Sequence, residues 1–279
     1  MICALRQALP RFAPGSRVGR AAYRALMAAS VPRLAARRER PSRALARALS
    51  TTALGRSSAQ ERAWAARIEA RRQRLISAGE VIRPAILDAA RGLASEAPEP
   101  EVPISTASLW MSLPAQLCVF LMRLIRELRP RSCLELGTGF GISTAYQAAS
   151  LELNGAGTLT TFEYAPEIAE IAGQGLSELG LASRVEVNVG AIDDLLSEAL
   201  EGIAPVEYAF VDADHTEEAT IREFEAMLPH LAEEALVVFD DINWTEAGMT
   251  RAWDRIRRHG RVSAALPLRR LGVVAVCQK

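Results

Sequence analysis

Leu134-Glu135-Leu136-Gly137-Thr138-Gly139-Phe140-Gly141 closes a short apolar run, places three glycines at alternate positions, and leads into a helical segment carrying Ser143 and Thr144. An apolar run, a glycine turn and a helix in that order make a strand–turn–helix unit. Glycine lets the backbone turn sharply and lets a ligand approach with no Cβ in the way. The helix N-terminus beyond it offers free N–H groups to a carboxylate or phosphate. The spacing is GxGxG, not the GxGxxG of dinucleotide binders, and Glu135 is no part of that fingerprint. A tight strand–helix turn without any ligand selects the same glycines, so the loop alone decides little.

Outward from this unit the chain alternates. Apolar runs at Cys133–Leu136, Thr158–Phe162, Val185–Val189, Val206–Val211 and Ala235–Phe239 predict strands. Helical segments near Ser143–Leu153, Pro166–Leu179, Asp193–Leu200 and Glu217–Leu231 lie between them. Such alternation predicts an α/β fold with a parallel, doubly wound sheet covered on both faces. After a helix over Thr245–His259, Val262–Leu266 and Val273–Cys277 are separated by too short a link for a parallel crossover, so they pair antiparallel. Upstream, the pattern predicts helices over Glu61–Ile82, Ala85–Leu93 and Leu109–Leu128. The acidic, proline-rich Glu96–Pro103 reads as a linker.

Three further features lie where strands end. Glu163 follows the second strand, 22 residues after Gly141, where a carboxylate in a doubly wound sheet can accept ribose hydroxyls. Gly190, Ala191 and Ile192 follow the third, leaving room and one apolar face for a flat ring, and Asp193 suits a helix N-cap. Asp212, Asp214 and His215 follow the fourth strand, and Asp240 and Asp241 the fifth. Ligands bind beyond the carboxyl ends of parallel strands, so these groups converge on one crevice. Close carboxylates repel and need a proton, a metal or a positive ligand among them. Histidine there can take a hydroxyl proton, cap the next helix or pair with Asp214.

Composition narrows the partners. The formal net charge is zero and 49% of residues are apolar, which suits a globular protein with no global field to recruit nucleic acid. No apolar run is long enough to span a bilayer. Cys3, Cys118, Cys133 and Cys277 form no CxxC pair or zinc pattern, which points to a reducing cytoplasm. Residues 1–60 are arginine-rich with one acid, Glu39, and read as a basic, poorly ordered leader, with a transit peptide as the alternative. Residues 61–103 then form a helical extension and linker, and residues 104–279 the α/β domain.

The runs ELGTGFGIST (135–144), Glu163, VGAIDD (189–194) and FVDADH (210–215) resemble the class I S-adenosylmethionine-dependent methyltransferases. The nearest likeness is to the catechol and caffeoyl-CoA O-methyltransferase-like branch with its bacterial small-molecule relatives. The resemblance covers about residues 104–279. It implies a Rossmann-like seven-stranded sheet whose last strand is antiparallel, behind an N-terminal helical extension. It implies that Glu135, Gly137, Gly139 and Ser143 hold the methionine part of S-adenosylmethionine. Glu163 then takes the ribose, Gly190, Ala191 and Ile192 frame the adenine, and Asp212 lies beside the cofactor. Asp212, Asp240 and Asp241 match positions that hold magnesium or calcium in that branch, although its asparagine is here Asp241. Its catalytic lysine falls on His215.

Methyl transfer to oxygen of a small molecule is the expected activity, with His215 and Asp212 as catalytic residues. Trp110, Met111, Trp244 and Met249 are candidate walls of the cofactor or acceptor pocket. His230 and His259 fall in helical segments away from it. Homodimerisation stays open. An NAD(P)-dependent oxidoreductase is disfavoured by the glycine spacing and by the lack of a Tyr-x-x-x-Lys pair, the sole lysine being Lys279. A methyltransferase-like protein that binds without turnover is the third alternative.

Overall fold

The computed structural model describes residues 27–83, 87–88, 93–94 and 101–277. Seven strands form one sheet: β1 (Ser132–Leu136), β2 (Thr158–Glu163), β3 (Val185–Val189), β4 (Val206–Val211), β5 (Leu231–Phe239), β6 (Val262–Leu268) and β7 (Leu271–Cys277). Their order is β6-β7-β5-β4-β1-β2-β3. The first five are parallel, and β7 runs antiparallel to both β5 and β6. This is the expected Rossmann-like sheet, and its order reverses at β1, between β2 and β4.

Side chains alternate across the sheet, and both faces are covered, which is why the central strands read as nearly unbroken apolar runs. Cys133, Tyr208, Phe210, Leu236 and Val238 face one layer. That layer contains α1 (Arg40–Ala53), α4 (Ala115–Leu128) and α5 (Ile142–Asn154). Leu134, Leu136, Ala209, Val211, Val237 and Phe239 face the other. There they meet α7 (Ile192–Ile203), α8 (Glu217–Met227) and α9 (Met249–Ile256). Helix α6 (Pro166–Leu179) joins the first layer beside α2 (Ala59–Ile76).

The extension departs from expectation. Residues 1–26 lie outside the described part, but residues 40–53 are not a poorly ordered leader. Helix α1 buries Pro41, Ser42, Ala44, Leu45, Ala46, Ala48 and Leu49 against α4. Each buried leucine contributes about 1.5–3 kcal/mol, which offsets the cost of ordering an arginine-rich segment. Arg40 fixes its start: the backbone N–H donates to Glu234 at 2.9 Å and Nη1 to Glu207 at 2.9 Å.

Helix α2 begins at a capping box, Ser58 Oγ accepting from Glu61 N–H (3.1 Å) and Glu61 from Ser58 N–H (2.7 Å). It stops at Ile76, short of the expected Ile82, because Val81–Ile82 pairs antiparallel with Val102–Pro103. The helix expected over Ala85–Leu93 is also corrected: Leu87–Asp88 and Leu93–Ala94 are extended and pair with each other. The Leu109–Leu128 segment is two helices, α3 (Ile104–Met111) and α4, bent by 53° at the break before Pro114. Proline there cannot continue a helix from α3, but its carbonyl opens α4 by accepting from Leu117 and Cys118. The expected Thr245–His259 helix is confined to α9, Met249–Ile256. Among the described residues no single helix is long and apolar enough to cross a membrane.

Candidate functional site

The ends of β1, β2, β4 and β5 bring the predicted residues to one edge of the sheet. Gly137 is where β1 must pass closest to β4. It sits at φ +96, and a Cβ there would lie 2.0 Å from the Asp212 carbonyl oxygen. Asp212 N–H donates to Leu136 O at 2.8 Å, which locks the two strand ends together. Gly139, also left-handed, donates its N–H to Glu163 Oε2 at 2.8 Å. Glu163 Oε1 accepts from Ala165 N–H at 2.9 Å. The Glu163 side chain thus joins the glycine loop to the end of β2. Glu163 keeps 8% exposure. Burial pushes its carboxyl upward, against the backbone N–H groups that favour the ionised form. Gly190 N–H donates to Glu163 O, which brings Gly190, Ala191 and Ile192 alongside it.

Glu135 needs correction. It does not face the groove: it is fully buried beneath the loop, and its oxygens are taken by Ser143 Oγ (2.8 Å), Thr144 Oγ1 (2.6 Å), Gln147 Nε2 (2.6 Å) and Thr161 Oγ1 (3.0 Å). Thr161 is its cross-strand partner on β2 and also meets Thr138 Oγ1 at 2.7 Å. Glu135 therefore braces the start of α5 and the glycine turn, and Ser143 points its hydroxyl at that brace. Burial raises the Glu135 carboxyl to about 7, with the four donors working the other way. Asp193 also differs from expectation, lying inside the first turn of α7 and pairing with Arg222 at 2.9 Å rather than capping the helix.

At the ends of β4 and β5, Asp212, Asp240 and Asp241 do converge, and the cation among them is the chain's own Arg270. Asp240 is fully buried and receives Arg270 Nε at 2.6 Å and Nη2 on its other oxygen. Nε also lies 2.9 Å from Asp241 Oδ1. Ile242 N–H donates to Arg270 O at 3.0 Å, pinning the β6–β7 turn against the loop after β5. The expected metal site at Asp212, Asp240 and Asp241 does not fit these residues. Both Asp240 oxygens are engaged by a guanidinium, and no group of three or more metal-ligating residues forms among the described residues. Asp212 is raised well above the usual carboxylate range by burial first and by Asp240 next, with Arg270 opposing.

His215 stands at the open side of this cluster. Its Nε2 lies 3.4 Å from Asp212 Oδ1, and its ring centroid is 6.0 Å from that of Trp244. Both His215 (φ 49) and Asp241 (φ 51) hold left-handed backbone, an uncommon conformation for non-glycine residues that concentrates at functional sites. Trp244 lies beside the histidine. Met249 is instead buried at the start of α9 and takes the Thr220 hydroxyl on its sulfur at 3.3 Å. At the other rim, the Met111 carbonyl lies 3.4 Å from where a Gly139 Cβ would stand, and Trp110 is half exposed beside it. His259 packs edge-on against Phe224.

Sequence reasoning missed Arg270. Its signal was the short link between the last two strands, which the antiparallel register delivers to the end of β5 through Gly272 opposite Phe239.

Residues 134–242 match the family described as "Methyltransferase domain" (Methyltransf_24). The chain is 36% identical over 132 residues to a catechol O-methyltransferase of Niastella koreensis, covering 47% of this chain and 54% of that one. It is 38% identical over 104 residues to a catechol O-methyltransferase of Mycobacterium tuberculosis, covering 37% and 46%. The chain thus spans about half the length of these curated relatives. Among solved structures, the O-methyltransferase TomG from Streptomyces achromogenes, in complex with SAM and involved in tomaymycin synthesis, superposes with a TM-score of 0.53. The match has 25% identity and covers 61% of this chain and 82% of TomG. The sheet order, the glycine turn and Glu163 thus accompany a likeness, centred on residues 134–242, to methyltransferase domains and to O-methyltransferases.

Proposed function

We propose that this protein transfers the methyl group of S-adenosylmethionine to an oxygen of a small molecule. The observation that carries the reading is the Glu163–Gly139 contact beside a glycine turn that tolerates no side chain at Gly137. That arrangement fits a nucleoside whose ribose lies against a carboxylate and whose amino-acid tail lies over exposed backbone. Gly137 and Gly139 would accept the methionine part, braced from below by Glu135 and Ser143, while Glu163 would accept ribose hydroxyls. Gly190, Ala191 and Ile192 would border the adenine, with Asp212 near the reacting end. Bound there, the cofactor supplies an electrophilic methyl group.

The chain's own contribution is positioning and a proton acceptor. The His215 ring nitrogen that does not face Asp212 takes the proton of the acceptor hydroxyl as the oxygen attacks in line. Asp212, 3.4 Å away, stabilises the imidazolium that results. Trp244 supplies a flat apolar wall beside the imidazole for the acceptor. Three described cysteines, Cys118, Cys133 and Cys277, are free thiols, which supports a cytoplasmic setting.

Calorimetric titration with S-adenosylhomocysteine and, in parallel, NADH tests the reading. Wild type binds the first and not the second, and Glu163→Ala weakens it by about 100-fold, equivalent to about 2.7 kcal/mol. Binding of NADH alone refutes the assignment. A screen of phenols, catechols and aliphatic alcohols for methyl transfer then identifies the acceptor. His215→Ala lowers kcat on it by about 10²–10⁴-fold while leaving cofactor affinity unchanged.

A further inference from the structure

We propose that Arg270 is the resident cation of this site: its guanidinium occupies the place a divalent metal would take among Asp212, Asp240 and Asp241. The protein then works without a metal, and removing the guanidinium opens a divalent-cation site. For the enzymatic part, this rests on the methyltransferase reading; the ion-binding part does not.

Three carboxylates converging on one partly enclosed corner repel unless a proton or a positive charge sits among them. Here the charge is tethered. Arg270 Nε bridges Asp240 (2.6 Å) and Asp241 (2.9 Å), while Nη2 takes the second Asp240 oxygen. This is the forked geometry in which a guanidinium matches a carboxylate. A metal such as calcium or magnesium needs six or more oxygen ligands at about 2.0–2.6 Å. Asp240, buried at the centre of the cluster, has neither oxygen to give while Arg270 is in place. Admitting the ion would put two positive charges side by side and turn out an arginine whose backbone Ile242 holds at 3.0 Å. Asp212, which also interacts with Asp240, lies 3.4 Å from His215 Nε2.

With a guanidinium already satisfied by two aspartates, nothing in the cluster asks for two adjacent oxygens on the acceptor. Phenols and alcohols with one hydroxyl are therefore turned over as readily as vicinal diols.

Mn²⁺ is the probe, titrated into the full chain and followed by its EPR signal. Wild type gives no saturable binding up to ~1 mM, the weak end of protein carboxylate sites. Arg270→Ala binds one Mn²⁺ at least about tenfold more tightly, and adding Asp240→Asn removes that gain. The charge-preserving Arg270→Lys stays metal-free and serves where the alanine variant folds poorly. Tight, stoichiometric Mn²⁺ binding by wild type overturns the proposal, and so does an Arg270→Ala variant that folds and gains no ion. With an acceptor in hand, wild-type turnover unchanged by EDTA supports it and abolition by EDTA overturns it. Loss of S-adenosylhomocysteine binding would instead sink the methyltransferase reading and leave the ion result standing.

Discussion

Gly137→Ala measures how tightly β1 and β4 are held at the floor of the site. The added Cβ would lie 2.0 Å from the Asp212 carbonyl oxygen and 2.8 Å from its carbon, both backbone atoms. Ordinary contact begins at 3.4 Å, so the end of β4 would have to retreat by more than an ångström. That retreat breaks the 2.8 Å bond from Asp212 N–H to Leu136 O. Alanine at φ +96 costs about 1 kcal/mol by itself. The overlap and the lost hydrogen bond add about 2–3 kcal/mol. Gly155→Ala supplies the comparison: φ is +71, no atom lies within 4 Å of its Cβ, and only the conformational cost of about 1 kcal/mol applies. Urea unfolding of the three proteins separates the terms, Gly137→Ala losing about 3–4 kcal/mol against about 1 for Gly155→Ala. Titration of S-adenosylhomocysteine follows suit, with affinity kept in Gly155→Ala and reduced about tenfold or more in Gly137→Ala, because Asp212 and His215 move with β4. Equal losses in the two variants would refute the reasoning, since the strand contact would then yield at no cost.

Two other perturbations follow from buried charge. Glu223 on α8 is almost fully enclosed, and burial pushes its carboxyl to about 8, with Asp214 adding to the rise and Arg222 opposing it. The folded state therefore holds this proton more tightly than the unfolded chain, and stability falls as pH rises from about 4.5 to about 8. Glu223→Gln removes that dependence and stabilises the protein at pH 9 by about 4–5 kcal/mol relative to its effect at pH 4, read from urea midpoints; parallel pH curves for the two proteins would contradict it. On α6, a Cβ at Gly175 would lie 1.8 Å from Arg71 Nε, in the space where the arginine reaches Ile171 O at 2.6 Å and Glu178 at 3.2 Å. Gly175→Ala should cost about 1–2 kcal/mol and speed tryptic cleavage within α2, and an unchanged digestion rate would show that Arg71 does not fasten the extension.

The central sheet was legible because each strand of β1 to β5 carries its own apolar run and each βα turn its own small or acidic residues. The glycine turn and Glu163 were legible for the same local reason. What failed to show was tertiary. The stripe Pro41, Ala44, Leu45, Ala48 and Leu49 lies among arginines, and composition alone hides a helix whose stability comes from α4. Glu135 looked like a ligand contact because it precedes the glycines; only the burial of three hydroxyls and an amide around it shows a brace. The metal expectation did not foresee Arg270, whose charge sits thirty residues along the chain from Asp240, where only strand register reveals it.

That distance orders the assembly of the protein. As the chain is synthesised, Asp212, Asp240 and Asp241 emerge before the hairpin that carries Arg270. Until β6 and β7 have paired and β7 has docked on β5, three acids at the end of the nascent sheet face one another with no guanidinium between them. The charge balance of the site is therefore complete only in a chain whose last hairpin is docked on β5.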